Sequence, residues 1–233
     1  MKNIDLASRN ENTREFQHVE IYDIKGINSH FDENMRIILY FFNVAETISN
    51  SKNLDADYVN EIYRTQIMLI DSTLDFYFHE VVKLAILNIY NEIWEGNNNK
   101  FYNKLTFAIK DLEFARSNPD DDEWLKEWVN KTFSTETMMS FSYFKDVCEL
   151  IGLNISKVAK ENFYKRGDSQ KEKDKLEDFL DGLYRRRNLI THQTDRRLCD
   201  AERLSVSREE VMYYIEHVAG IVYTVSNHIK KLG

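Results

Sequence analysis

Apolar residues recur at three- and four-residue steps through most of this chain, the pattern of helices that each bury one face. After Ser29-His30-Phe31-Asp32, which reads as a helix start, Phe31, Met35, Ile38, Phe42 and Ala45 keep the step and predict an amphipathic helix to about Ser49. Ser51-Lys52-Asn53 predicts a turn. The longest element is expected from about Asp55 to Trp94, where no Gly or Pro intervenes. There Tyr63, Ile67, Ile70, Leu74, Tyr77, Val81 and Leu84 form a buried stripe that Ile62, Leu69 and Phe76 widen. Short polar residues at Asp71-Ser72-Thr73 compete for backbone hydrogen bonds and predict a kink. Glu95-Gly96-Asn97-Asn98-Asn99 predicts the C-terminal cap.

The middle of the chain predicts helices over about Phe101 to Arg116, Asp121 to Lys131 and Thr135 to Ile151, broken at Ser117-Asn118-Pro119-Asp120 and Phe133-Ser134. A short helix over Asn154 to Tyr164 ends at Arg166-Gly167. Ser169-Gln170-Lys171-Glu172 reads as a capping box opening a helix to His192, with Leu176, Phe179, Leu180, Leu183, Leu189 and Ile190 as its apolar contacts. A loop of about fourteen residues follows, long enough to suggest function. Ser207-Arg208-Glu209-Glu210 is a second capping box, and Val211, Ile215, Val218, Val222, Val225 and Ile229 then form the most regular stripe in the sequence, a core or dimer seam. Residues 1–25 have weak periodicity and predict an arm or a short helix. The expected fold is an all-α bundle of six to eight helices: an arm over 1–27, then one domain over 28–233 with an inserted aromatic-rich helical segment at about 97–167.

Composition supports this reading. The 42% hydrophobic content supplies a core, and one Pro with seven Gly is too little punctuation for strands joined by tight turns. Cys148 and Cys199 form no CxxC pair, which argues against zinc and disulfides and suits a reducing cytoplasm. With no apolar run near 18 residues and a polar start, the expectation is a cytoplasmic protein without a membrane segment. The aromatics of the middle segment, Phe101, Phe107, Trp124 and Trp128 among them, point to core or a protein interface more than to stacked bases.

Charge singles out one region. A net charge of −8 disfavours a general nucleic-acid binder. Between Arg185 and Arg208, however, seven arginines face three acids, a local excess of four. Such a run either concentrates attraction for phosphate or is a solvated loop balanced elsewhere.

Within it lies Tyr184-Arg185-Arg186-Arg187-Asn188-Leu189-Ile190-Thr191-His192-Gln193. An imidazole ordinarily titrates near neutrality, so His192 suits an acid or base role. Arg187, with a planar and permanently charged fork, suits phosphate, and Asn188 suits orienting the imidazole or binding a phosphate oxygen. On a helix Asn188 and His192 share a face, whereas Arg187 lies about 140° round from His192. One chain cannot aim both at the same phosphate unless the helix unwinds, which favours a site completed by a second chain.

Arg187-Asn188 with His192 reproduces the R-N-x-x-x-H arrangement of HEPN domains (higher eukaryotes and prokaryotes nucleotide-binding). Gln193-Thr194-Asp195-Arg196, Leu74-Asp75-Phe76-Tyr77-Phe78-His79-Glu80 and the closing helix resemble the RiboL-PSP type, over roughly Asp55 to Leu232 with a poorly matching middle third. The resemblance implies a HEPN-like bundle acting as an endoribonuclease without metal or other cofactor. It also implies a homodimer with a composite site, an RNA substrate cut to a 2′,3′-cyclic phosphate and a 5′-hydroxyl, and a role as a toxin or antiphage effector with a cognate antitoxin or defence partner. Arg187, His192 and Asn188 would be catalytic, with Arg186, Arg196 and Arg197 binding substrate. The alternative is a catalytically silent HEPN module that binds RNA, a nucleotide or a protein.

Asp71, Asp75 and His79 recur every four residues along one stripe. Asp75 is placed to set the His79 tautomer, with either residue lining the His192 cleft, or the three form a plain hydrogen-bonded polar line. Metal binding by Asp75, His79 and Glu80 lacks a supporting ligand cluster.

Overall fold

The computed structural model describes residues 20–51, 57–96, 99–117, 122–133 and 137–232. Among them are eight helices and no strand: α1 (Ile24–Ser49), α2 (Asp57–Tyr90), α3 (Ile109–Ser117), α4 (Glu123–Phe133), α5 (Phe141–Leu150), α6 (Ile155–Phe163), α7 (Glu172–Gln193) and α8 (Arg208–Ile229), with a 3-10 turn at Tyr102–Lys104. The protein is all-α, as its periodicity predicts. Of the arm expected over 1–27, residues 1–19 lie outside the described residues and 24–27 already belong to α1; the turn after Ser51 and the breaks at 118–120 and 134 also lie outside them.

The bundle is built around α2, whose 34 residues reach about 51 Å at helical rise. Ile67, Ile70, Leu74, Tyr77 and Val81 are buried, as is the adjacent row Phe78, Val82, Ala85 and Ile86. Phe76 departs from expectation: it is exposed, and its ring lies 6.2 Å from that of His30. The competition for backbone hydrogen bonds expected at Asp71-Ser72-Thr73 leaves α2 unbroken. Helical structure runs through these residues, and the Asp71 carboxylate finds its partner on another helix instead of its own backbone. α1, α7 and α8 pack along α2, and α6 joins α7 and α8. The α8 stripe from Val211 to Ile229 is buried within this one chain, so it is core and not a dimer seam.

α4 and α5 also pack on α2. Trp124, Phe133, Phe141 and Phe144 are buried, and the Phe107 ring lies 4.3 Å from that of Trp128. Among its described residues the aromatic segment therefore fills core and offers no row of open rings for bases.

Several helix ends differ from expectation. α1 begins five residues before Ser29, because Asp23 caps it by accepting the Gly26 N–H at 2.8 Å. α2 stops at Tyr90: Glu92 takes the left-handed conformation (φ 58°), and Ile93 N–H closes on the Asn88 carbonyl at 2.8 Å. Gly96 has a different use, since a Cβ there would meet Ile89 Cγ2 at 2.1 Å. α7 lacks the expected capping box; its N-cap is Lys171, which provides no acceptor, and Glu172 and Asp174 complement the helix start by charge. Ser207 does cap α8, accepting the Glu210 N–H at 3.2 Å.

Candidate functional site

α7 carries the motif helically to Gln193, so the chain does not unwind before His192. Its buried face is Leu176, Phe179, Leu180, Leu183, Arg186 and Ile190. Position 186 is in phase with that apolar stripe, and Arg186 therefore points into the fold. The expectation that it binds substrate meets a buried guanidinium already committed: it donates to Asp195 Oδ1, to Glu210 Oε1 at 3.1 Å and to the Ser205 carbonyl at 2.8 Å.

The opposite side of Asp195 is held by Arg64 of α2, whose Nε donates to Oδ2 at 2.7 Å and whose Nη2 donates to the Leu204 carbonyl at 2.7 Å. Asp195 is fully buried. One carboxylate between two arginines thus locks α2, α7 and the returning chain together. Two successive left-handed residues, Thr194 (φ 51°) and Asp195 (φ 61°), turn the backbone out of α7 to make this possible. The loop over 194–207 is further closed by an isolated antiparallel bridge between Arg196 and Arg203.

Arg187 faces α2. Its Nε donates to Asp71 Oδ2 at 2.8 Å, its Nη1 donates to Asn188 Oδ1 at 2.8 Å, and its guanidinium carbon stands 5.6 Å from the Tyr184 ring centre. The other three N–H groups have no partner among the described residues. Asp71 is wholly buried, and its Oδ1 has no hydrogen-bond partner there either. Burial pushes this carboxyl up to about 6; Arg187 opposes the rise and the nearby Asp75 charge adds to it.

His192 is exposed and has no hydrogen-bond or ion-pair partner among the described residues. Asn188 is half-buried and occupied with Arg187. Asp75 accepts the Met138 N–H at 2.6 Å through Oδ1, and its Oδ2 lies 3.7 Å from His79 Nε2. The stripe of Asp71, Asp75 and His79 therefore connects Arg187 to the chain leading into α5. Among the described residues, no group of three His, Cys, Asp or Glu is placed to hold a metal ion.

The two other arginines expected at substrate lie on the loop surface. Arg196 donates to the Ala201 carbonyl at 2.7 Å, and Arg197 is paired with Asp200 at 2.7 Å and with Glu202. Arg203 pairs with Glu61, while Arg208 lies over the Phe42 ring at 4.4 Å. Together with Arg64, the seven arginines from 185 to 208 make eight. The carboxylates touching them are Glu61, Asp71, Asp195, Asp200, Glu202 and Glu210, six in all, which leaves an excess of two positive charges. Arg64, Asp71 and Asp195 are the residues that sequence reasoning did not place. Only the four-residue recurrence of Asp71 with Asp75 and the helical phase of 186 offered a signal.

No helix is long and apolar enough to cross a membrane among the described residues. No family model, curated protein or solved structure matches the chain.

Proposed function

We propose that this protein is a metal-independent endoribonuclease of HEPN type, working as a homodimer with a composite site. The observation that carries the reading is a division of labour on one unbroken helix. Arg187 is anchored from behind with three N–H groups unpartnered among the described residues, and five residues on His192 is exposed and likewise unpartnered there. Since the two diverge by about 140° around α7, the reading takes them to one phosphate through a two-fold pairing of chains. RNA brings its own nucleophile. The 2′-oxygen bonds to phosphorus and loses its proton to one His192, the bond from phosphorus to the 5′-oxygen breaks, and the His192 of the second copy protonates the leaving oxygen. The products are a 2′,3′-cyclic phosphate and a 5′-hydroxyl. The Nη groups of Arg187 stabilise the charge that develops on the phosphate. Toxin or antiphage biology, with a cognate partner, is the setting that the resemblance implies.

One observation favours the second reading, a silent HEPN module that binds RNA, a nucleotide or a protein. Six carboxylates neutralise most of the arginine cluster, which weakens its pull on a polyanion. Incubation of the purified protein with single-stranded RNA in EDTA separates the two. Cleavage is expected in the wild type and its loss in both Arg187→Ala and His192→Ala, with far-UV circular dichroism unchanged. Equal activity in all three proteins defeats the enzyme reading, and a wild type that binds RNA without cutting it establishes the second.

A further inference from the structure

The carboxylate of Asp71 has no access to solvent, and only one of its oxygens has a partner among the described residues. A buried charge of this kind destabilises a fold unless a cation compensates it. Packing alone would be served better by an apolar residue, as Ile67, Ile70 and Leu74 serve it on either side. What the carboxylate contributes is geometric. It takes Arg187 by Nε at 2.8 Å, the nitrogen nearest the side-chain stem, while Asn188 takes a single proton of Nη1. One N–H on Nη1 and both on Nη2 keep no partner among the described residues, enough donors for bidentate recognition of a phosphate. Asp75, one turn further along α2, does not compete for the guanidinium, because its Oδ1 is held by the Met138 N–H.

We infer that Asp71 is a positioning residue: it fixes Arg187 through Nε so that the Nη edge is presented to a phosphate of single-stranded RNA. The identity of that phosphate rests on the nuclease reading, whereas the grip on Arg187 rests on the geometry alone. A lysine at 187 has only one nitrogen, so its ammonium would be drawn to the buried carboxylate and withheld from the substrate.

The test is a cycle of Asp71→Asn, Arg187→Lys and the double variant, assayed for RNA cleavage in EDTA with circular dichroism confirming the fold. Asp71→Asn keeps the size and an acceptor but removes the charge; kcat/KM is expected to fall about tenfold or more as the guanidinium loses its fixed orientation. The double variant is expected to exceed Arg187→Lys alone, because removing the carboxylate frees the ammonium. A purely structural role for Asp71 predicts no such recovery. Asp71→Asn within twofold of the wild type, or a double variant no better than Arg187→Lys, overturns the proposal. If the wild type does not cleave, the same proteins are read by fluorescence anisotropy on a 2′-O-methyl oligonucleotide, which lacks the attacking hydroxyl. Binding that depends on Arg187 and weakens in Asp71→Asn supports positioning while sinking the nuclease reading. Binding indifferent to Asp71, or no binding at all, overturns positioning.

Discussion

Three consecutive arginines meet three environments because a helix turns about 100° between them. Arg185 is exposed and donates to the Asp181 carbonyl at 3.1 Å, Arg186 enters the fold between Asp195 and Glu210, and Arg187 stands against α2 on Asp71. The last of these pairs sets stability against the proposed function. Folding raises the Asp71 carboxyl from 3.8 to about 6, so its favourable contribution is complete below pH 3.8 and is lost as pH rises through 6. At pH 8 the ionised carboxylate costs about 3 kcal/mol relative to its protonated form. Asparagine imitates the protonated acid at every pH, and Arg187 is partly exposed, so water can take the place of its lost partner. Asp71→Asn is therefore expected to melt several degrees above the wild type at pH 8, with the gap closing as pH approaches 4. Thermal melts at both pH values check this; a variant that melts lower at pH 8 contradicts it.

At the scale of elements, the helical stripes were readable from sequence because burial acts at fixed intervals of three and four residues, and α8 follows its stripe throughout. The helix ends were less readable, because any residue that satisfies the last backbone groups can serve. Glu92 assumes the left-handed position expected further along near Gly96, and Lys171 opens α7 without a side-chain cap. The site was legible to the same degree. Helical phase foretold that Arg187 and His192 diverge, but the pairing of Arg187 with Asp71 spans 116 residues and depends on how α2 and α7 meet. The role of Asp195 was hidden for a further reason. In the sequence it is one acid in a basic run, while in the fold it is the joint between α2, α7 and the loop over 194–207. Asp195→Asn removes the charge shared by two buried arginines and leaves Arg186 with Glu210 and Arg64 with Glu61 alone, a change expected to destabilise by about 3 kcal/mol. A fall of roughly 6–12 °C in the melting midpoint should follow for a chain of this size. A midpoint within about 2–3 °C of the wild type would mean that the loop is held by its backbone bonds alone.

For the whole molecule, the arrangement of charge bears directly on the proposed assembly. The chain is acidic overall at −8, and its arginine-rich region retains an excess of only two positive charges once contacting carboxylates are counted. One copy therefore offers little electrostatic attraction for RNA, whereas two copies facing each other across a two-fold axis would pool their cations in one cleft. The same pairing supplies both imidazoles that the proposed proton transfers require. Its kinetic consequence is specific. When wild-type protein is mixed with His192→Ala and the subunits exchange, a site that needs a histidine from each copy survives only in wild-type homodimers. Activity should then fall as the square of the wild-type fraction, leaving about a quarter at an equal mixture, whereas a site contained within one chain would leave about half. Mixtures over a range of ratios, equilibrated at micromolar concentration and assayed in EDTA, distinguish the curves. A straight line through the half-activity point refutes a site that needs both imidazoles, and a monomeric mass by light scattering at the same concentration refutes the composite site and requires Arg187 and His192 to act from a single α7.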